Sequence, residues 1–180
     1  MKHFLWGILM VLVSCSTKNN SGGTNFRQDF NKREDTLLKT GREIIKNAYF
    51  AQFASVNKEG MPKIRVIEPF APDKEWNVFF GTNPRSRKVK EIKNHPQSAL
   101  HYFDKARLAY VSLYGKAYIE NDSLLRKKYW KESWKSFYPD KEKDFMLIRF
   151  VPEKMELIHL TKGFSGDSLT WKPHEIILRD

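Results

Sequence analysis

Residues 76–88 read WNVFFGTNPRSRK and decide the fold. Their first half, 76–82, is rich in aromatic and β-branched side chains, which predicts a strand. Asn83 and Pro84 end that strand, because proline has no N–H to donate to a sheet ladder. The residues that follow predict a short amphipathic helix over 87–94. A strand that leads directly into a helix is therefore the central element of this chain.

The start of the predicted helix carries a hydroxyl and two cations, Ser86, Arg87 and Lys88, and Thr82 ends the strand before it. The first N–H groups of a helix have no partner within it and lie at the positive end of the helix dipole, so they attract phosphate. Arginine adds a two-pronged donor, and lysine adds a mobile point charge. Local chemistry alone leaves two interpretations open, a phosphate site and an ordinary capped surface helix.

Strand and helix patterns continue on both sides of this element. Besides the central strand, strands are predicted at 64–70, 98–103, 108–119, 145–151 and 155–160. Phe50, Phe53 and Val56, followed by the turn residues 58–60, indicate a hairpin whose partner run is 64–70. Helices are predicted at 33–47 and 124–137, the second after the N-cap cluster at 121–123. Gly115 predicts a bulge, and Pro152 with Glu153 predicts a turn between the last two strands. The chain is expected to be α+β, a mainly antiparallel six-stranded β-barrel with covering helices.

The N-terminus resembles the signal of a bacterial lipoprotein. A basic start precedes an apolar run over 4–13, which is too short to span a bilayer. The sequence Leu12-Val13-Ser14-Cys15 then resembles a lipobox, and Cys15 is the only cysteine. A buried N-terminal helix or strand with an incidental cysteine is the alternative. We predict a signal peptide, a flexible tether whose first residue is lipidated, and one folded domain, at 1–14, 15–30 and 31–180.

Composition limits the classes of function. The chain of 180 residues is 41% hydrophobic, enough for one core, and has a formal net charge of +11. Its cations are scattered between acidic neighbours, so we predict solvated surface with local anion sites and no nucleic-acid partner. Adhesion to a membrane surface through this charge stays an alternative. The histidines lack ligand-like spacing, so no metal site is predicted, although His101 and His159 lie on predicted strands.

An ordered series of short motifs carries a family resemblance. The motifs are FASV (53–56), KEGMP (58–62), IRV (64–66), FFGTN (79–83), SRKV (86–89), NHP (94–96), VSLYGKA (111–117) and FYP (137–139). Over about residues 35–160, this series resembles the pyridoxamine 5'-phosphate oxidase-like family, most of all its short general-stress-protein branch. No single motif is specific, and their order carries the resemblance.

The resemblance implies a homodimeric split β-barrel that binds FMN at the subunit interface. The implied cofactor-binding residues are Arg65, Val66, Ile67, Thr82, Ser86, Arg87 and Lys88. In this scheme the three cations meet the phosphate, the two hydroxyls donate beside them, and the backbone at 66–67 runs along the flavin ring edge. A deazaflavin in place of FMN is compatible with the same residues.

Three departures separate this chain from the vitamin-B6 enzymes of that family. Those enzymes carry a lysine a few residues after the strand arginine, where this chain reads Glu68-Pro69-Phe70. Residues 172–175 do not reproduce their Arg/His substrate motif, and Tyr110 replaces a glutamine that contacts the flavin. We therefore do not predict pyridoxamine-phosphate oxidation, and we name no catalytic residue.

The function expected from the sequence is an exported, membrane-anchored FMN-binding protein of the cell envelope, an oxidoreductase of unknown substrate. The alternative keeps the fold but not the chemistry. It is a non-catalytic dimeric lipoprotein that binds another anionic or tetrapyrrole-like ligand.

Overall fold

The computed structural model describes the backbone of residues 22–179 and the side chains of residues 31–179. The signal peptide predicted over 1–14 and the lipidation of Cys15 lie outside the described residues, and both stay predictions. Among residues 22–179, no helix combines the length and the apolar character needed to cross a bilayer.

The described chain forms a sheet of seven strands and four α-helices. In chain order the elements are α1 (Gly22–Ala48), β1 (Ala51–Val56), β2 (Pro62–Ile67), β3 (Val78–Thr82), α2 (Arg87–Asn94), β4 (Gln97–Asp104), β5 (Ala109–Glu120), α3 (Ser123–Lys128), α4 (Lys141–Asp144), β6 (Met146–His159) and β7 (His174–Ile177). Every strand pair is antiparallel, and the spatial order is β2-β1-β4-β5-β6-β3, with β7 paired to β6. This order confirms the predicted α+β class with six principal strands, to which β7 adds a seventh.

The sheet curls until its two ends nearly meet. Just after β2, Pro69 forms an isolated bridge with Phe80 of β3, and the Phe70 N–H donates to the Phe79 carbonyl at 2.8 Å. The first and last strands of the sheet order are thereby brought together, which gives the split barrel. Leu37, Ile44 and Ile45 of α1 pack against the main core inside the curl.

The central strand and helix match the prediction closely. The helix α2 spans Arg87–Asn94, the predicted range, and β3 is two residues shorter than predicted. The register between β5 and β6 shifts between Tyr114 and Gly115, which confirms the predicted bulge. The N-cap prediction is also confirmed, because the Asp122 carboxylate accepts hydrogen bonds from the N–H groups of Leu124 and Leu125.

The helix predicted over 124–137 is wrong beyond Lys128. Between α3 and α4 the described chain forms only a short 3-10 helix, at Glu132–Trp134. The reason is tertiary packing: Tyr129 stacks on Phe79 with ring centroids 4.0 Å apart, and Trp134 is buried beside it. Several aromatic residues of this segment enter one small core on the outer side of β3, and a straight helix would present them in different directions.

The predicted turn at Pro152 and Glu153 is also wrong, because β6 runs through it as one strand of 14 residues. Pro152 lies opposite Gly115, where the bulge interrupts the hydrogen-bond ladder between β5 and β6. Because the ladder is already interrupted there, the N–H that proline lacks costs the sheet little. Near the C-terminal end of the described chain, β7 pairs with β6 on the edge opposite β5. The helix α1 begins at Gly22 rather than Arg33 and so covers the last part of the predicted tether.

Candidate anion-binding site

Arg65 is held by a buried network between β1, β2 and α2. Phe53 pairs with Arg65 across the two strands, which places the arginine on the inner face of the sheet. The Arg65 guanidinium donates to the Glu91 carboxylate at 2.7 Å and also to the Ser55 hydroxyl. The same hydroxyl donates to Glu91 at 2.6 Å, and both Ser55 and Glu91 are buried. The guanidinium is therefore fixed in one orientation beside α2.

The start of α2 supplies the second half of the site. The Lys88 ammonium donates to the Thr82 hydroxyl at 2.9 Å, and this hydroxyl lies 3.1 Å from that of Ser86. Ser86 occupies the N-cap position, but its side chain makes no capping hydrogen bond. The first N–H groups of α2 thus keep their capacity to bind an anion.

The charges at this site act on one another. Burial lowers the pKa of Lys88, the positive charges of Arg65 and Arg87 lower it further, and Glu91 opposes them. Burial alone would raise the pKa of Glu91, but hydrogen bonds from Ser55 and Arg65 hold it below its ordinary value, helped by the Arg87 charge. Three cations and one carboxylate leave a net charge of about +2, which is the complement of a phosphate dianion.

Two of the predicted residues do not join this cluster through their side chains. Val66 lies on the outer face of the sheet and is 65% exposed, whereas Ile67 is half-buried against the main core. Since β2 is the first strand in the sheet order, one of its edges faces no other strand along the described path. Alternate N–H and C=O groups along that edge are available to a ligand. The contribution of Val66 and Ile67 would come from backbone atoms, as the family resemblance implies.

Sequence reasoning missed Ser55 and Glu91, the two residues that orient Arg65. Their signals were present but weak. Ser55 falls on an inward position of the alternating strand β1, and Glu91 lies three residues after Lys88, on the helix face that also buries Val89 and Ile92. A carboxylate on a buried helix face requires a partner, and Arg65 provides it.

A second polar cluster fixes the end of β2. The Glu68 carboxylate accepts hydrogen bonds from the Tyr49 hydroxyl at 2.6 Å, the Lys131 ammonium at 2.6 Å and the Trp134 indole N–H at 3.2 Å. Burial opposes the effect, but these donors lower the pKa of Glu68. The Lys131 ammonium also lies 4.8 Å from the centroid of the Phe70 ring. The segment after α3 is thereby attached next to residues 66–67.

Other features of the described chain lie away from this site. A cavity of about 760 Å³ is lined in part by Leu37 of α1 and Ile176 of β7, and none of the three cations lines it. It contains carboxylates as well as cations, so it does not select one sign of charge. Among the side chains of residues 31–179, no three His, Cys, Asp or Glu groups are placed so that they could hold a metal ion.

The fold and this site define a split-barrel protein with a cluster of cationic side chains at the junction of a strand and a helix. Residues 38–163 match the model of the family described as pyridoxamine 5'-phosphate oxidase like, and the chain belongs to that family. None of the curated proteins matches the sequence.

Solved structures agree with the fold. A protein from Clostridium acetobutylicum related to general stress protein 26 is 17% identical, with a TM-score of 0.65 over 79% of this chain and 94% of that one. General stress protein 26 from Bacillus anthracis is 24% identical, with a TM-score of 0.60 over 68% and 93% of the two chains. A pyridoxamine 5'-phosphate oxidase-related, FMN-binding protein from Nostoc punctiforme is 14% identical, with a TM-score of 0.56 over 78% and 92%. Identities this low support the fold alone.

Proposed function

We propose that this protein is an FMN-binding homodimer, anchored to a membrane of the cell envelope, that acts as an oxidoreductase. One observation supports the flavin part most directly: the Arg65 guanidinium of β2 donates at 2.7 Å to Glu91 of α2, the helix whose first turn carries Arg87 and Lys88. A converging set of cations with unused helix N–H groups suits the phosphate of FMN, and a deazaflavin with a phosphorylated side chain would suit it equally.

The residues of the chain would bind and orient rather than react. Arg65 would offer a guanidinium already fixed by Ser55 and Glu91, Lys88 a half-buried ammonium, and Arg87 an exposed two-pronged donor. When bound, FMN supplies hydride or electron transfer, which no side chain provides by itself. The protein would thus contribute position and electrostatics.

Removing the two helix-start cations gives the principal test. We expect Arg87→Ala combined with Lys88→Ala to weaken FMN binding by at least about 100-fold, because two charge-assisted hydrogen bonds contribute about 1.5–3 kcal/mol each. Binding is measured by the change in flavin fluorescence, and the absorbance spectrum of the protein as purified shows whether flavin is retained.

Lys90→Ala with Lys93→Ala is the matched control. It also removes two positive charges from α2, but at exposed positions outside the proposed site. We expect it to change FMN affinity by no more than about threefold. Equal losses in both double variants would mean that only net charge matters. A colourless wild-type protein that ignores added FMN would overturn the flavin proposal and favour the non-catalytic binder of another anionic or tetrapyrrole-like ligand.

The homodimer is supported by the outer face of the sheet. Ile64, Val66 and Phe103 are 71%, 65% and 50% exposed on this face, an unusual concentration of apolar surface for a monomer. We expect the wild-type chain to sediment as a dimer, and Ile64→Asp to shift it toward the monomer because a charge would be buried without a partner. A wild-type monomer at micromolar concentration would contradict the proposal.

Membrane attachment is supported by the sequence Leu12-Val13-Ser14-Cys15 alone. Fractionation of cells that express the Cys15→Ser chain tests it, since loss of the acylated thiol should release the protein from the membrane.

A further inference from the structure

The loop at residues 166–172, between β6 and β7, carries two apolar side chains that no other part of the described chain covers. Leu169 is 89% exposed and Trp171 is 75% exposed, the two largest exposed fractions among the large apolar side chains of residues 31–179. A single exposed apolar residue is ordinary on a protein surface. Two of them only two positions apart indicate a contact surface.

Hydrogen bonds within the loop hold these side chains outward. The Asp167 N–H donates to the Lys172 carbonyl, and the Trp171 N–H donates to the Asp167 carbonyl, both at 2.9 Å. The Asp167 carboxylate accepts from the N–H groups of Leu169 and Thr170 at 3.1 and 2.8 Å. Trp171 has a φ of +58°, a left-handed conformation that a bulky residue adopts at a cost. The exposure of both side chains therefore belongs to a closed loop with a defined backbone path.

The loop lies beside the first half of α1. The Arg33 guanidinium of α1 donates to Nδ1 of His174, two residues after the loop, at 3.2 Å. Leu37 of α1 and Asp167 of the loop also line the same cavity. Both segments lie outside residues 38–163, the part of the chain that matches the family model. The loop thus lies at the end of the domain where the N-terminal segment enters.

The N-terminal segment is short enough to keep this end of the domain near a membrane. Cys15, the proposed lipidation site, precedes the first residue of α1, Gly22, by seven residues. A chain of that length spans at most about 25 Å. The helix then rises about 16 Å from Gly22 to Arg33. An anchor at Cys15 would therefore hold the loop within about 40 Å of the lipid, where tethering favours even a weak second contact.

The side chains of the loop suit the boundary between lipid headgroups and hydrocarbon. Tryptophan concentrates at this boundary, because its ring is apolar and its N–H is polar. Leu169, two positions away, loses contact with water when it enters the hydrocarbon. Lys172 follows directly and is exposed, so its apolar stem can lie along the lipid while its ammonium meets a phosphate. A bilayer surface therefore satisfies all three side chains at once.

We propose that the loop 166–172 docks on the surface of the bilayer that anchors the protein, with Leu169 and Trp171 in the interface and Lys172 at the lipid phosphates. This inference rests on the proposed function for the anchor at Cys15. It adds an orientation, because the end of the domain that carries the loop and the first half of α1 would face the lipid.

The test follows the tryptophan fluorescence of the full chain, purified from cells in detergent and reconstituted into vesicles of brominated phosphatidylcholine and phosphatidylglycerol. Bromine quenches an indole that lies among lipids, whereas Trp76 and Trp134 are buried within the protein. The emission that Trp171→Phe lacks is the contribution of Trp171. We expect brominated lipid to remove at least about half of this contribution, because the ring would lie at the acyl boundary.

Two leucine variants show whether the apolar side chains cause the contact. Leu169→Ser should reduce the quenching of Trp171 by about twofold or more, because a polar side chain gains nothing from hydrocarbon. Leu124→Ser is the matched control, since Leu124 is 72% exposed on α3, and it should leave the quenching unchanged. Circular dichroism confirms that each variant is folded.

Equal quenching in the wild-type chain and Trp171→Phe, or equal reductions in the two leucine variants, would overturn the inference. Trp171 emission that responds to protein concentration but not to brominated lipid would make the loop a contact between copies, and would overturn it as well. The mass of the purified chain separates the anchor from the loop. An acylated Cys15 without lipid quenching keeps the anchor and refutes the loop contact, whereas an unmodified Cys15 with quenching does the reverse.

Discussion

Arg65→Ala is expected to lower the free energy of unfolding by about 3–5 kcal/mol at pH 7, the cost of leaving one charge of a buried pair without its partner. Its partner, the Glu91 carboxylate, is only 8% exposed, and the Arg65 side chain 19%. After the substitution, Ser55 would be the remaining direct donor to that carboxylate. Urea denaturation followed by circular dichroism measures the loss.

The loss should depend on pH in a defined direction. In the wild-type protein the pKa of Glu91 is below its ordinary value, so its contribution to stability is present above pH of about 4.3 and lost as the pH falls through the folded-state pKa. In Arg65→Ala, burial without the guanidinium should raise that pKa above the ordinary value. The carboxylate then destabilises the fold at neutral pH and is protonated in acid. The difference between the two proteins should therefore be largest near pH 7 and shrink toward pH 4.

Two further variants give this prediction its controls. Arg85→Ala breaks the ion pair between Arg85 and Asp144, in which the arginine side chain is 79% exposed. It should lower the free energy of unfolding by no more than about 1 kcal/mol. Arg65→Met with Glu91→Gln removes both charges and should recover at least half of the stability lost by Arg65→Ala. A loss in Arg65→Ala as small as that of Arg85→Ala, or equal at all pH values, would refute the buried-pair explanation.

Gly115→Ala is expected to destabilise the fold by about 3 kcal/mol, because the bulge leaves no room for a side chain. A Cβ atom at this position would lie 2.1 Å from the Val151 carbonyl oxygen and 2.7 Å from the Pro152 Cα. Both are backbone atoms of β6, so relief requires a shift of the strand rather than a rotamer change. Thermal or urea unfolding monitors the change.

Gly60→Ala separates crowding from backbone conformation. Gly60 has a φ of +80° in the turn between β1 and β2, and nothing lies within 4 Å of a Cβ built there. We expect it to cost only about 1–2 kcal/mol, the penalty of a left-handed conformation. If Gly115→Ala cost no more than Gly60→Ala, the strands would be able to separate at the bulge at little expense.

The elements that the sequence predicted well are those specified by local chemistry. The helix α2 has a proline before it, an amphipathic pattern within it and His95-Pro96 after it, and its bounds were predicted to the residue. Thr82, Ser86 and Lys88 were grouped for the same reason, because they are close in sequence. Arg65 required the family resemblance, since it reaches them from another strand.

The failures share a cause: long-range packing overrode local signals. A proline between two apolar runs usually indicates a turn, but Pro152 lies inside a strand, where a bulge at Gly115 of the neighbouring strand accommodates it. Residues 129–137 have helical composition, but burial of Tyr129 and Trp134 against β3 determines their path. The pairing of Glu91 with Arg65 could not be predicted from the sequence, because no local sequence pattern specifies which strand packs against α2.

The strand β3 alternates between two interiors, with Phe79 in the small aromatic core and Phe80 in the main core. Most strands of this sheet keep one side open to solvent or to a partner, but β3 has protein on both sides. Few polar replacements would be tolerated at either Phe79 or Phe80. Random mutagenesis followed by selection for folded protein should therefore find residues 78–82 among the least permissive of the chain, and the same constraint makes this segment so easy to recognise in the sequence.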